Sequence, residues 1–224
     1  MPRPRIQLSF VALLGALGGF LVVTPLLGAG SGWRLVSAVL FLAVIASSLR
    51  VVGRGGRDVL VPGAVGFGAI ALELVAGFGG HASLSIAAHA IFASYLAFVV
   101  VTLLRGILRV ERVTGDAIAG GACVYLLIGM LWGAVFTTLE LFQPGSFLQG
   151  GAPIAHRARG PYGELLYFSY VTVMTIGYGD ILAATPIARM LAVLAALSGQ
   201  LYLAVFVAGL VGMLAVQSRG SRDR

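Results

Sequence analysis

The stretch TVMTIGYGD, residues 172–180, interrupts a chain that is otherwise almost continuous apolar sequence. Two glycines flank a tyrosine, and an aspartate follows at once. Before it lies YGELLYFSYVTVM (162–174), mostly apolar but too short to cross a bilayer, which takes about 20 helical residues. At 1.5 Å per residue such a segment reaches about 20 Å, and five residues of extended chain return about 15 Å. The pattern predicts a helix that descends and a strand that climbs back, a loop entering and leaving on one face of a membrane. Non-helical backbone at that depth persists only where it is buried in protein or lines a water-filled path. Gly177 and Gly179 open backbone angles closed to other residues, so that successive carbonyls can face one axis. Thr175 can add its hydroxyl at the inner end, and the helix before it would aim its negative C-terminal end, near Met174, at a cation.

The membrane itself is read from composition. Of 224 residues, 59% are hydrophobic and 10% charged, and the mean hydropathy is +1.00. A soluble domain would carry roughly 25% charged residues. The expected fold is an all-α membrane protein of six transmembrane helices, with the loop as a re-entrant pore helix and filter between helices five and six. Spans are expected at 8–28, 34–53, 59–79, 82–104, 117–140 and 187–216. Asp116 is the expected N-cap of the fifth, and Thr185-Pro186 the cap and first turn of the sixth. The domain reading follows: 1–104 a four-helix peripheral domain, 105–116 an amphipathic linker, 117–216 the pore domain, 217–224 a short cytoplasmic tail. The tail QSRGSRDR is too short to fold, so no soluble regulatory domain is expected in this chain. The apolar run after MPRPR exceeds the 7–15 residues of a secretory h-region, so the first helix is expected to be retained.

The basic residues are all arginine and set the orientation. Arg3, Arg5, Arg50, Arg54, Arg57, Arg105, Arg109, Arg112, Arg219, Arg222 and Arg224 fall on one side, and only Arg34, Arg157, Arg159 and Arg189 on the other. The positive-inside bias places both termini in the cytoplasm and 141–163 outside, with His156, Arg157 and Arg159 as a solvated turret. The expected location is the plasma (inner) membrane. The net charge of +7 is thus a topology signal. It forms no contiguous basic face, so nucleic acid is not an expected partner. One cysteine, Cys123, excludes an intrachain disulfide and any multi-cysteine metal site. The scattered histidines offer no Ser/His/Asp or metal-ligand spacing, so no enzyme and no cofactor are expected.

TIGYGD (175–180) resembles the selectivity-filter signature of potassium channels, complete from threonine to aspartate. The resemblance extends over 117–216: outer helix, pore helix, filter, inner helix. It implies potassium held by the backbone of Thr175, Ile176, Gly177 and Tyr178, with Gly179 completing the filter. Tyr167 and Phe168 match the aromatic pair that supports the filter tyrosine, here Tyr178, and Asp180 matches the aspartate behind the outer mouth. Gly199 matches the inner-helix glycine at which many family members bend to open. Four preceding spans look like the six-helix, voltage-gated-type architecture. One loop cannot encircle an ion, so a homotetramer in lipid is implied. Three departures stand out. Met174 replaces the threonine common just before the filter and alters the cavity. Val171 sits where some small bacterial channels carry a glutamate paired with the aspartate, so Asp180 needs another partner, such as the Tyr167 hydroxyl. ILAATP (181–186) differs from the usual threonine-proline.

The expected function is therefore passive, potassium-selective conduction. The alternatives are a weakly selective cation channel and a non-conducting regulatory membrane subunit. The fourth span carries no arginine within 82–104, so strong voltage gating is not expected. Glu73 and His89 both lie about 10 Å deep in neighbouring antiparallel spans, which makes them a candidate intramembrane pair.

Overall fold

The computed structural model describes residues 9–26, 39, 42, 46, 63–69, 71, 72, 75, 82–107, 114–154 and 161–222. In chain order its elements are α1 (Ser9–Leu26), α2 (Ala82–Ile107), α3 (Gly115–Phe142), β1 (Phe147–Gln149), β2 (Ala152–Pro153), α4 (Tyr162–Val173), β3 (Ile181–Ala183) and α5 (Pro186–Arg222). Residues 63–69 are helical as well. Most of expected spans two and three, the middle of the linker (108–113), the turret residues His156, Arg157 and Arg159, and Glu73 lie outside the described residues.

Among the described residues, three helical stretches are long and apolar enough to cross a membrane: Ser83–Ile107, Gly115–Phe142 and Pro186–Gly209. A shorter apolar helix covers Phe10–Val23. The cap of α3 differs from expectation. Thr114, not Asp116, is the N-cap, with extended backbone and a hydroxyl that accepts from the Ala117 N–H at 3.2 Å. Asp116 instead occupies the first turn, where a carboxylate faces the positive end of the helix dipole. At α5, Thr185 caps through its hydroxyl to the Ala188 N–H at 3.3 Å, and Pro186 opens the first turn.

Helix α3 is the hub against which α1, α2, α4 and α5 all pack. Lipid supplies no hydrophobic drive between helices, so close approach and interhelical hydrogen bonds must hold them. Both are present. Leu166 packs onto Gly133, and the Tyr170 ring fills the space a side chain at Gly129 would take. The Ser169 hydroxyl reaches the Gly129 carbonyl at 2.8 Å, and the Tyr170 hydroxyl donates to the Leu126 carbonyl at 2.7 Å. These pairings run α4 antiparallel to α3. Helix α5 is also antiparallel to α3, joined by Trp132 Nε1 donating to Ser198 Oγ at 2.9 Å and the Tyr202 hydroxyl to the Gly121 carbonyl at 2.7 Å. The Tyr125 and Tyr202 rings stack between them at 5.9 Å.

A small sheet joins the helical elements. Its strand order is β2-β1-β3, antiparallel throughout, with Leu148 opposite Pro153 and Phe147, Leu148 and Gln149 opposite Ala183, Leu182 and Ile181. Gly150 and Gly151, with φ of 60° and 80°, form the two-residue turn between β1 and β2, where a tight hairpin needs left-handed residues. Beneath the sheet, the Phe136, Phe147 and Phe168 rings meet pairwise at 5.3 Å. The sheet therefore pairs the segment after α3 with the segment before α5, closing the loop between them at one end of the helices.

Candidate functional site

The site is built where α4 stops. The Ile176 N–H donates to the Val171 carbonyl at 2.9 Å and the Thr175 N–H to the Thr172 carbonyl at 3.0 Å. This crossed pair is a Schellman ending, whose first residue beyond the cap is left-handed and most often glycine. Here it is Thr175, with φ of 56°, the one non-glycine with positive φ among the described residues. A β-branched residue in that region costs about 1–3 kcal/mol and persists only when its surroundings hold it. Two side-chain contacts do so. The Thr175 hydroxyl lies 2.7 Å from the Met174 carbonyl, and Gln200 Nε2 lies 3.3 Å from Thr175 Oγ1.

Beyond Thr175 the backbone alternates. Gly177 and Gly179 have φ of 63° and 77°, while Ile176 and Tyr178 are not left-handed. This alternation turns successive peptide planes the same way, whereas a uniform strand points its carbonyls to alternate sides. A Cβ built at Gly177 or Gly179 would meet nothing within 4 Å, so the glycines serve backbone conformation and not space. Residues 174–180 are all exposed, Tyr178 at 69% and Ile176 at 48%.

The end at Asp180 is anchored twice. The Tyr167 hydroxyl hydrogen-bonds Asp180, which raises the hydroxyl above the ordinary tyrosine range, so it remains a donor. Directly after Asp180, β3 pairs with β1. Strand β1 is in turn tethered to α3 by Glu140, fully buried, whose carboxylate accepts from the Gly145 N–H at 3.0 Å and the Phe147 N–H at 2.8 Å. The Ala184 N–H donates to the Ser146 carbonyl at 2.8 Å, and Arg189 Nε to the Ala183 carbonyl at 3.2 Å.

At the end nearest α4, Met174 is exposed and Gly199 lies against the last turn of α4. A Cβ on Gly199 would overlap the Val173 carbonyl oxygen and stand 3.1 Å from the carbonyl carbon. The Tyr125 hydroxyl reaches the same carbonyl at 3.5 Å.

The structure thus brings together Thr175 through Asp180, Tyr167, Met174 and Gly199. Phe168 is placed apart from Tyr167: within the chain it packs on Phe136 and Phe147. His89 donates from Nδ1 to the Ser85 carbonyl at 2.9 Å, and its ring lies 5.5 Å from that of Tyr162 at the start of α4. Its expected partner Glu73 is outside the described residues. Sequence reasoning missed Glu140 and Gln200. Each is a polar side chain within an otherwise apolar helical run, and that was the available signal.

The model of a family described as ion channel matches residues 124–216, from the middle of α3 through α5. A protein of Oryza sativa subsp. japonica, "Two pore potassium channel c", is 35% identical over 95 residues, 42% of this chain and 19% of that protein. The chain spans about a fifth of the length of this curated relative. No solved structure matches. Over residues 124–216 the chain is therefore similar to an ion-channel family, and the relative it matches is by its name a potassium channel.

Proposed function

We propose that the chain is one subunit of a potassium-selective channel that passes K+ passively down its gradient. The observation that carries this reading is the TIGYGD backbone, left-handed at alternate residues and exposed along its length at the end of α4. Rings of backbone oxygen that replace a hydration shell are how a pore conducts potassium, and Thr175, Ile176, Gly177 and Tyr178 would supply them. The similarity to a two-pore potassium channel supports the choice of ion. A single chain contributes one strand to such a ring, so the working form is a homotetramer. The uncovered apolar face of α5, including Leu194, Leu197, Leu201 and Val205, is suited to its assembly.

The fold would span the plasma membrane six times, both termini cytoplasmic, with α4 re-entrant from outside. Permeant K+ is the only bound species the mechanism requires. Gly199 packs where the sequence reading has α5 bend, so α5 would pivot against the end of α4. The only arginine or lysine of α2 is Arg105, in its last turn, so the conductance would change little with voltage. The test is K+ flux from the purified protein in liposomes. Flux blocked by Ba2+ and far exceeding Na+ flux supports the reading. Equal K+ and Na+ flux would make it a weakly selective cation channel, and no flux a non-conducting subunit.

A further inference from the structure

We propose that Gln200 is a positioning residue that orients the Thr175 hydroxyl at the inner end of the filter stretch; this rests on the channel reading above. The hydrogen-bond bookkeeping fixes the roles. A threonine hydroxyl has one proton and two acceptor positions. Its proton goes to the Met174 carbonyl, 2.7 Å away. Toward Gln200 the oxygen can then only accept, so the amide turns its NH2 to Thr175, the bond being 3.3 Å. One acceptor position is filled, and the other stays open for an ion entering from the α5 side.

The placement has a cause in the neighbouring residue. Gly199 lets α5 approach the Val173 carbonyl closer than any side chain would allow, which brings the next residue within reach of Thr175. Gln200 is itself exposed, among the exposed apolar residues Leu197 and Leu201. An amide facing lipid would be costly, whereas one facing a water-filled path is solvated. Its Oε1 is then free to face the same path, so four copies would add a ring of amide oxygens below the Thr175 hydroxyls. Held by the amide, Thr175 keeps both its left-handed backbone and the direction of its free lone pair. Without the amide the hydroxyl rotor is released, and the inner site loses its fixed oxygen.

Ba2+ is close to K+ in size and doubly charged, so block by Ba2+ applied from the inner side reads the site directly. Gln200→Leu removes the donor at similar volume. Gln200→Asn keeps an amide but falls one methylene short. Both are expected to weaken inner-side Ba2+ block by roughly tenfold, the effect of one lost hydrogen bond. In a Thr175→Val background, Gln200→Leu should produce no further loss. Where Thr175→Val passes no K+, Ba2+-dependent thermal stabilisation of the detergent-solubilised protein completes the same cycle. Unchanged Ba2+ affinity in Gln200→Leu, or independent effects of the two substitutions, overturns the inference. A wild-type protein that passes no K+ overturns the conduction reading instead, while conduction whose block ignores Gln200 overturns this inference alone.

Discussion

Tyr167 hydrogen-bonds Asp180, and this one contact ties the middle of α4 to the far end of the TIGYGD stretch. Tyr167→Phe removes the hydroxyl and keeps the ring, so Asp180 loses its tether while the packing of α4 stays. The expected outcome is reduced K+ flux and a lower K+ to Na+ flux ratio. The pH dependence follows from the raised hydroxyl. A group protonated more tightly in the fold stabilises it fully below its unfolded value, about 10 for tyrosine, and loses that contribution as pH rises through the higher folded value. Flux through the wild type should therefore show no loss from this pair at neutral pH, and a loss only in strong alkali. A Tyr167→Phe protein with the same alkaline decline would show that the decline has another origin.

Glu140 does for the sheet what Tyr167 does for the TIGYGD stretch. Its buried carboxylate receives two backbone N–H groups from the start of the loop. Glu140→Ala leaves both donors unpaired, at about 1–3 kcal/mol for each that stays buried. Thermal unfolding in detergent should fall by several degrees, with Glu140→Gln intermediate because its amide oxygen still accepts one bond. Equal stability of Glu140→Ala and wild type would mean that the sheet holds without this tether.

What the residues disclosed in advance follows the range of the interactions involved. Helix α4 was legible because its signal is local: an apolar run too short to span, ended by glycines. The anchoring of Asp180 on Tyr167 was legible once Val171 removed the alternative partner. The sheet was not, since Phe147–Gln149 and Ile181–Ala183 are too short to show alternation and pair across the whole loop. The Thr114 cap was hidden by Asp116, an equally good capping residue two positions on, and only the backbone angles decide between them. Gln200 stands out as a polar residue in an apolar run, but its partner was hidden because it depends on how closely α5 passes Val173, which no spacing encodes.

Gly199 and Gly209 lie on the same helix in different surroundings, which separates packing from helix propensity. A Cβ at Gly199 collides with the backbone of Val173, whereas one at Gly209 meets nothing within 4 Å. Gly199→Ala must push α5 away from α4 and should cost about 1–3 kcal/mol, lowering K+ flux and the midpoint of thermal unfolding together. Gly209→Ala gains helix propensity and should be neutral or slightly stabilising. Comparable losses in the two proteins would imply bending as the shared requirement, because close approach distinguishes them.

Thr175→Gly separates what the loop needs to fold from what it needs to conduct. The left-handed position at the end of α4 suits glycine, and threonine occupies it at a cost of about 1–3 kcal/mol. Replacement relieves that strain, and the greater freedom of glycine in the unfolded chain offsets part of the gain, about 0.4–1 kcal/mol. The two effects leave the midpoint of thermal unfolding unchanged or slightly raised. Conduction should move the other way, because the hydroxyl held between Gln200 and the Met174 carbonyl is gone. K+ flux and inner-side Ba2+ block should both weaken in a protein that is no less stable. If Thr175→Gly instead unfolds at a clearly lower temperature, the hydroxyl contributes more to the fold than its strained backbone takes away.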